Sequence, residues 1–272
     1  MKKIPTGIES LDPIIKGGFP PGSFVILLGE EGSGHVEFAY TSAFKLAEGG
    51  RFKNGDTVIP EKICYISITK SREDILNEIQ NAFSDVHYQS LQKRLEFKDF
   101  SWMYFMKSPV PAAWVTESKV SFEQLKSNET EKNLIDSLVH YMDETASSSV
   151  VIIDSLTALA QYCSDTMKWR DMISFLRGLQ KVSKRWNGLV YAILNNGVFE
   201  NGKQEEIMEC ADGVLMFGWE NMGTSLRQRS MYVKKFRGLL PQLEADNIVK
   251  FETAITPQVG YEVSYIKRVR GK

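Results

Sequence analysis

The fold class of this chain is decided by residues 24–36, Phe24-Val25-Ile26-Leu27-Leu28-Gly29-Glu30-Glu31-Gly32-Ser33-Gly34-His35-Val36. Five apolar residues, which are typical of a buried strand, lead into a glycine-rich loop, and a helix-like stretch follows from Val36 to Glu48. A strand, a glycine loop and a helix in this order form the context of a phosphate-binding P-loop. The sequence therefore predicts an α/β protein with such a loop after a buried strand.

The loop matches only part of the P-loop pattern G-x-x-x-x-G-K-[ST]. Gly29 and Gly34 are in place, but His35 stands where the pattern has lysine, and Val36 where it has a hydroxyl residue. In the full motif the lysine reaches the β and γ phosphates, and the hydroxyl holds Mg²⁺. A neutral imidazole and an isopropyl group supply neither contact. Because a charged hydrogen bond is worth about 1.5–3 kcal/mol, losing the lysine alone predicts about ten- to a hundredfold weaker binding.

The whole loop is the candidate nucleotide-binding set. Its members are Gly29, Glu30, Glu31, Gly32, Ser33, Gly34, His35 and Val36. Three interpretations stay open: a tight strand-to-helix connection that the fold requires, residual nucleotide or anion binding, and true hydrolysis. Glu31 and Glu37 place negative charge around the pocket, where Glu37 can stabilise the helix N-terminus in place of a phosphate. The sequence therefore assigns no cofactor firmly and leaves ATP binding open.

The rest of the chain alternates strand and helix patterns before a β-rich end. Buried strands are predicted at Ile63–Ile68, Val150–Asp154, Gly188–Leu194 and Gly213–Phe217, with looser alternation over Phe97–Phe105. Helices are predicted after the N-cap Ser71, within Ser121–Thr145 and over Trp169–Val182. The segments Ser230–Phe236, Ile248–Phe251 and Gly260–Ile266 are predicted as strands without intervening helices. This order predicts one domain, residues 1–272, with a mainly parallel central sheet, helices on both faces and an antiparallel C-terminal extension.

Composition narrows the class of protein. The chain has 272 residues and a net charge of −1, so it lacks the large positive net charge with which proteins bind nucleic acid or an anionic membrane nonspecifically. With 43% apolar and 25% charged residues it is an ordinary globular sequence, without an apolar run long enough to span a membrane. The three cysteines and three histidines are scattered and give no metal-ligand spacing. We therefore expect a cytoplasmic protein with free thiols and no metal site.

Several ordered motifs resemble the KaiC-like and RadA-like ATPases of the RecA superfamily, of the archaeal type. The opening segments Pro5–Asp12 and Gly17–Ser23 and the glycine loop are similar to the start of that family. Later matches are ICYISITKSREDIL, the Walker B-like VVIIDSLTAL, ECADGVLMF, VKKFRG and ITPQVGYEV. Only Phe100–Lys132 lacks a clear counterpart. The resemblance implies a RecA-like P-loop fold over nearly the whole chain.

The resemblance also implies roles for individual residues. The family places one or two glutamates after its second strand as general base, and here Thr69 and Lys70 occupy those positions. Asp154 matches the Walker B carboxylate that holds Mg²⁺ through water, although it could instead cap a strand end or the next helix. Lys235 and Arg237 match the pair that reaches a neighbouring subunit's γ-phosphate. Solvated charges or an intersubunit salt bridge are alternatives for this pair.

The combined pattern predicts a pseudo-ATPase that acts in regulation or assembly, as a homo-oligomer or in a complex with an active paralogue. The alternative is an ATP-binding switch with little or no hydrolysis. DNA is an unlikely partner, because the segment Asn195–Asp212, expected as a loop, carries five carboxylates against a single lysine. A phosphate backbone would be repelled there.

Overall fold

The computed structural model describes residues 2–49, 57–106, 108–115, 133–223 and 226–268. Within these ranges a single sheet has nine strands in the order β3-β2-β4-β5-β1-β6-β7-β8-β9. They are β1 (Ser23–Gly29), β2 (Lys62–Ser67), β3 (Leu95–Asp99), β4 (Ser149–Asp154), β5 (Leu189–Asn195), β6 (Gly213–Met222), β7 (Leu226–Phe236), β8 (Ile248–Thr256) and β9 (Gly260–Arg268). The run from β3 to β6 is parallel, and the run from β6 to β9 is antiparallel. The predicted fold class is confirmed.

Helices cover both faces of this sheet. In the described residues they are α1 (His35–Glu48), α2 (Arg72–Ala82), α3 (Asp85–Arg94), α4 (Ser101–Phe105), α5 (Leu134–Thr145), α6 (Leu156–Thr166), α7 (Trp169–Trp186), α8 (Asn201–Glu209) and α9 (Leu240–Ala245). A short 3₁₀ turn spans Ala112–Trp114. Ser71 caps α2 as predicted, because its hydroxyl accepts from the Asp74 backbone while the Asp74 carboxylate accepts in return. None of the described helices is long and apolar enough to cross a membrane.

The alternation of side chains along β1 divides the core into two halves. Val25 and Leu27 face a cluster formed with α1, α2 and α3, whereas Ile26 and Leu28 face a cluster formed with α5, α6 and α7. All four side chains are fully buried. Such two-sided burial is what a continuous apolar strand in a parallel sheet requires. The strand at residues 24–28 is therefore the centre of the fold.

The parallel register brings the carboxyl ends of several strands to one edge of the sheet. Gly29 at the end of β1 pairs with Asn195 at the end of β5. Ser67 at the end of β2 pairs with Asp154 at the end of β4. Because open α/β sheets bind ligands beyond the carboxyl ends of their strands, this edge is the place to look for a site.

The N-terminal motif has a structural role. The buried carboxylate of Asp12 accepts hydrogen bonds from the backbone N–H and hydroxyl of Thr6, both at 2.8 Å, and from the Gly7 N–H at 3.1 Å. Burial raises the pKa of Asp12, although these three donors oppose the shift. The segment Pro5–Asp12 is therefore a closed turn rather than a surface for chemistry.

Three predicted elements need correction. The stretch Phe97–Phe105 divides into the end of β3 and the short helix α4. The β-rich end contains an intervening helix, α9, which begins with a proline in its first turn, where the missing N–H costs nothing. The expected loop Asn195–Asp212 contains the helix α8. Of the helix predicted within Ser121–Thr145, only the part from Leu134 lies in the described residues.

The outer edge of β9 is covered by side-chain hydroxyls. The Tyr261 N–H donates to Thr41 Oγ1 at 2.8 Å, and the Val263 N–H donates to Ser10 Oγ at 2.8 Å. Gly260, with φ of +85°, makes this approach feasible, because a Cβ there would lie 2.5 Å from Thr41 Oγ1. The first half of this edge strand is therefore hydrogen-bonded on both sides.

Candidate functional site

The glycine loop lies at the carboxyl edge of the sheet, between the end of β1 and the start of α1. Its backbone turns back at Ser33, whose N–H donates to the Glu30 carbonyl at 3.0 Å. Gly34 precedes α1 with φ of 105°, and no side chain caps the helix. The N–H groups of the first turn of α1 therefore face outward without an intrahelical acceptor, as at any uncapped helix start.

His35 is folded inside the loop. Its side chain is 2% exposed, and its ring packs against the Gly29 backbone, where a Cβ would lie 2.3 Å from Nδ1. Its ring centroid is 6.3 Å from that of Phe217. Within the described chain neither ring nitrogen has a hydrogen-bond partner. Burial lowers the pKa of His35 to about 4, so the imidazole is neutral near pH 7. It supplies no positive charge to a phosphate.

The other loop residues divide into exposed and buried groups. Glu30 and Glu31 are exposed, and the Glu31 carboxylate accepts from Asn195 Nδ2 at 3.3 Å. Ser33 is fully buried, and its hydroxyl has no partner among the described atoms. The half-buried Val36 presents only methyl groups to the space in front of α1. The loop thus brings together carboxylates and apolar groups where a P-loop has an ammonium and a hydroxyl.

The β6–β7 hairpin holds the outside of the loop. Trp219 Nε1 donates to the Glu31 carbonyl at 3.1 Å, and Arg229 Nε donates to the Gly32 carbonyl at 2.9 Å. Trp219 and Arg229 are cross-strand partners, and the guanidinium carbon lies 4.6 Å from the indole centroid. Neither residue is among those that the sequence predicts for the site. They fix the loop backbone through its carbonyl groups.

A cleft of about 490 Å³ opens between the loop with α1 on one side and α2 on the other. Of the described residues, three with carboxylate side chains line it, Glu31, Glu37 and Glu78, together with the single ammonium of Lys70. This charge balance disfavours an anionic ligand, in contrast to the uncapped start of α1.

Thr69 and Lys70, at the expected glutamate positions, offer a hydroxyl and an ammonium group in place of carboxylates. Lys70 Nζ donates to both oxygens of Glu78 at 2.7 and 2.9 Å, and its backbone N–H donates to Ser67 Oγ at 3.0 Å. Thr69 is partly buried beside it. The Glu78 carboxylate also accepts from the Tyr40 hydroxyl at 2.9 Å. A carboxylate that already accepts three hydrogen bonds is poorly placed to take a proton from water.

Asp154 lies at the end of β4 and is directed into the protein. It is 9% exposed and accepts a 2.5 Å hydrogen bond from the Tyr65 hydroxyl. Burial raises the pKa of Asp154, while the Tyr65 hydrogen bond and the nearby Lys70 charge oppose the shift. The alternative that Asp154 caps the next helix is wrong, because Ser155 Oγ accepts from the Ala158 N–H at the start of α6. The carboxylate is the inner end of a polar path from Tyr65 through the adjacent Tyr40 to Glu78.

Lys235 and Arg237 have different surroundings. Lys235 Nζ donates to the carbonyls of Met208, Glu209 and Ala211 at 3.2, 2.8 and 2.7 Å, which caps the C-terminal end of α8. Burial and the charge of Arg237 lower the pKa of Lys235. Arg237 is exposed and has no hydrogen-bond or ion-pair partner in the part of the chain that the structure describes. Their finger role stays a prediction, and Lys235 already has partners within its own chain.

Carboxylates of the acidic segment Asn195–Asp212, which precedes β6, form ion pairs and a hydrogen bond with the rest of the chain. Glu205 pairs with Lys234 at 2.7 Å, and Glu209 pairs with Arg177 at 3.7 Å. Trp169 Nε1 donates to the Glu206 carboxylate at 2.5 Å. Part of the negative charge of this segment is therefore balanced within the chain. The absence of DNA binding stays a prediction. Across the described ranges, no three His, Cys, Asp or Glu residues are grouped as metal ligands.

Comparison with known proteins identifies one family and solved structures that share the fold of this chain. The family model described as "ATPase: KaiC" matches residues 4–245. The crystal structure of a KaiC-like protein from the hyperthermophilic archaeon Pyrococcus horikoshii aligns with 97% of this chain and 99% of its own, at 18% identity and a TM-score of 0.64. The flagellar accessory protein FlaH from Methanocaldococcus jannaschii aligns with 94% and 96%, at 15% identity and a TM-score of 0.62. No curated protein matches the sequence. At these identities the structural neighbours establish the fold alone.

Proposed function

Because this chain belongs to the KaiC ATPase family of the RecA superfamily, we propose that it is a member without effective ATP hydrolysis, acting in regulation or assembly. The observation that carries the proposal is His35. At the position of the P-loop lysine the chain has a buried, neutral imidazole that fills the space beside Gly29. A side chain of the loop itself therefore occupies the interior of the loop.

Two further contacts support the loss of hydrolysis. The Walker B-like carboxylate of Asp154 is bonded to the Tyr65 hydroxyl, and Val36 offers no oxygen as its metal-binding partner. On the opposite wall, Lys70 is paired with Glu78 where the family has its base. Positioning, metal binding and proton abstraction would each need a side chain that this site lacks.

A second candidate function is an ATP-binding switch that hydrolyses slowly or not at all. The observation that favours it is the uncapped start of α1, which faces the 490 Å³ cleft. Backbone N–H groups at a helix start bind phosphate without any side chain. The Glu31 and Glu37 carboxylates beside them oppose such binding, so we rank the switch second.

A nucleotide titration separates the two candidates. We expect the wild-type chain to show no saturable ATP binding at micromolar concentrations, and Mg²⁺ to make no difference, because the site lacks both the lysine and the metal ligand. Isothermal calorimetry with ATP, with and without Mg²⁺, is the measurement, and an active KaiC-like relative is the positive control. Micromolar binding without turnover would establish the switch instead.

We propose that the chain is cytoplasmic. Cys64, Cys163 and Cys210 are all buried free thiols. Burial raises the pKa of Cys64 to about 11 and that of Cys163 to about 12, which keeps both protonated and unreactive. Unpaired thiols of this kind are typical of a reducing compartment.

For assembly we propose that the exposed Arg237 contacts a neighbouring subunit, with Glu30, Glu31 or Glu37 as its partners, in a homo-oligomer or with an active paralogue. Arg237 is the free member of the finger pair, and two of the three glutamates are exposed. A head-to-tail interface of this kind is heterologous and can close into a ring.

Light scattering tests the assembly. We expect an oligomer at tens of micromolar that dissociates in high salt and in Arg237→Ala, because screening and truncation remove the same charge contact. Arg170→Ala, which removes another exposed arginine, is the matched control and should leave the oligomer intact. A monomer at every salt concentration would exclude self-assembly and leave only the paralogue complex.

A further inference from the structure

An apolar groove of about 260 Å³ runs between α5 and α7, away from every residue of the glycine loop. Its floor consists of the buried side chains of Met142, Leu179 and Trp186. Its walls are less covered, since Val139 is 39% exposed and Phe175 and Val182 are partly exposed. The groove is smaller than a pocket for a drug-sized ligand or cofactor, so its size fits the side chains of a peptide.

Gly178 contributes no side chain to this groove. It lies in the middle of the 18-residue helix α7, where glycine is among the least favourable residues. No close packing requires it, because a Cβ at this position would meet no atom within 4 Å. The residue is exposed and lines the groove. A large side chain at this position would extend into the groove, and the glycine leaves that space unoccupied.

The two sides of the groove differ in charge. Arg185 lines the α7 side, and Lys181 lies one turn before it on the same face of the helix. Asp143 lines the α5 side. Unlike Arg177 and Lys184 on the same helix, which pair with Glu209 and Asp212, none of these three has an ion-pair partner in the described residues. The positive side is therefore available to carboxylates of another molecule.

We propose that this groove binds an amphipathic helix of a partner protein, with carboxylates along one flank of its apolar stripe. Large apolar side chains at helical spacing would enter the groove over Gly178. The acidic flank would face Lys181 and Arg185, where the charges complement one another. The groove contains no residue of the glycine loop, so this binding does not depend on the nucleotide question.

A pair of synthetic peptides tests the proposal on the full chain. The probe is a fluorescein-labelled 18-residue helix with a leucine stripe, glutamates along one flank and glutamines along the other. The comparison peptide has lysines in place of the glutamates. Fluorescence anisotropy should give at least tenfold tighter binding for the acidic peptide, and Arg185→Glu should abolish that preference. Arg170→Glu, on the same helix but outside the groove, should leave it unchanged.

Substitution of Gly178 tests the use of the groove itself. Gly178→Leu should fill the groove and weaken binding of the acidic peptide at least tenfold. Gly178→Ala adds only one methyl group and raises the helix propensity, so it should change the affinity for the peptide less than threefold. Circular dichroism and thermal unfolding verify that each variant is folded. Equal binding by wild type and Gly178→Leu, or no saturable binding up to about 1 mM peptide, would overturn the proposal. Self-association abolished by Gly178→Leu would assign the groove to a second copy instead, which also overturns it.

Discussion

Wild-type turnover of ATP is expected to be at least about 10²- to 10⁴-fold slower than that of the triple variant His35→Lys/Val36→Thr/Thr69→Glu. The general base alone accounts for a factor of this size. In the wild-type chain Lys70 and Glu78 neutralise each other beside Thr69, so Glu78 is not free to take that role. Phosphate release measured on purified protein, under saturating Mg²⁺ and ATP, gives the comparison.

Variants that restore the site in steps distinguish ATP binding from ATP hydrolysis. The double variant His35→Lys/Val36→Thr should bind Mg²⁺ and ATP about ten- to a hundredfold more tightly than wild type, yet show no gain in turnover. Adding Asp154→Asn to the triple variant should remove the recovered rate, which controls for a contaminating ATPase. If the wild-type chain hydrolyses ATP as fast as the triple variant, the proposed loss of hydrolysis is wrong.

The stability of the protein should fall as the pH drops from about 6.5 towards 4, because of His35. The unfolded chain binds a proton at the ordinary histidine pKa of 6.5, whereas burial holds the pKa in the folded chain at about 4. Below pH 6.5 the unfolded state therefore binds more protons, and the free energy of unfolding decreases. The pKa shift of His35 corresponds to a decrease in the free energy of unfolding of about 2 kcal/mol by pH 5 and about 3 kcal/mol near pH 4.

A variant that lacks the His35 imidazole isolates the contribution of this residue to the pH dependence of stability. Urea unfolding of wild type and His35→Gln at several pH values between 7 and 4 gives the difference in pH dependence. Asp12 and Asp154, whose raised pKa values act in the opposite direction, are the same in both proteins and cancel. If the two proteins lose the same stability between pH 7 and pH 5, His35 is not held neutral by the fold.

The central strands are the part of the fold that the sequence predicts best. The runs at 24–28, 63–68 and 150–154 locate β1, β2 and β4 to within one residue at each end. They do so because both faces of these strands are buried, and short continuous apolar runs between turn residues are typical of such strands. The helices α8 and α9 are missed because they are short, with nine and six residues, and because α8 is mostly polar, so that packing rather than pattern forms them.

The sequence predicts the glycine loop but not the partners of the site. Tyr65 and Tyr40 meet only because α1 packs across β2, and the Trp219–Arg229 pair exists only in the register of the β6–β7 hairpin. No local pattern encodes contacts between segments so far apart in the chain. One weak signal is present, since a tyrosine inside a buried apolar stretch such as Ile63–Ile68 must find a partner for its hydroxyl.

The hydroxyls of Ser10 and Thr41 along β9 limit how this sheet can grow. An incoming strand needs a row of free N–H and C=O groups, and the first half of β9 has its N–H groups already occupied. The opposite margin is β3, a strand of five residues, and short edge strands are poor templates for further pairing. Fibrous, edge-to-edge aggregation is thereby discouraged at both margins. Any assembly that this chain enters is expected to form through side-chain surfaces, such as those around Arg237 and Gly178, and not by strand addition.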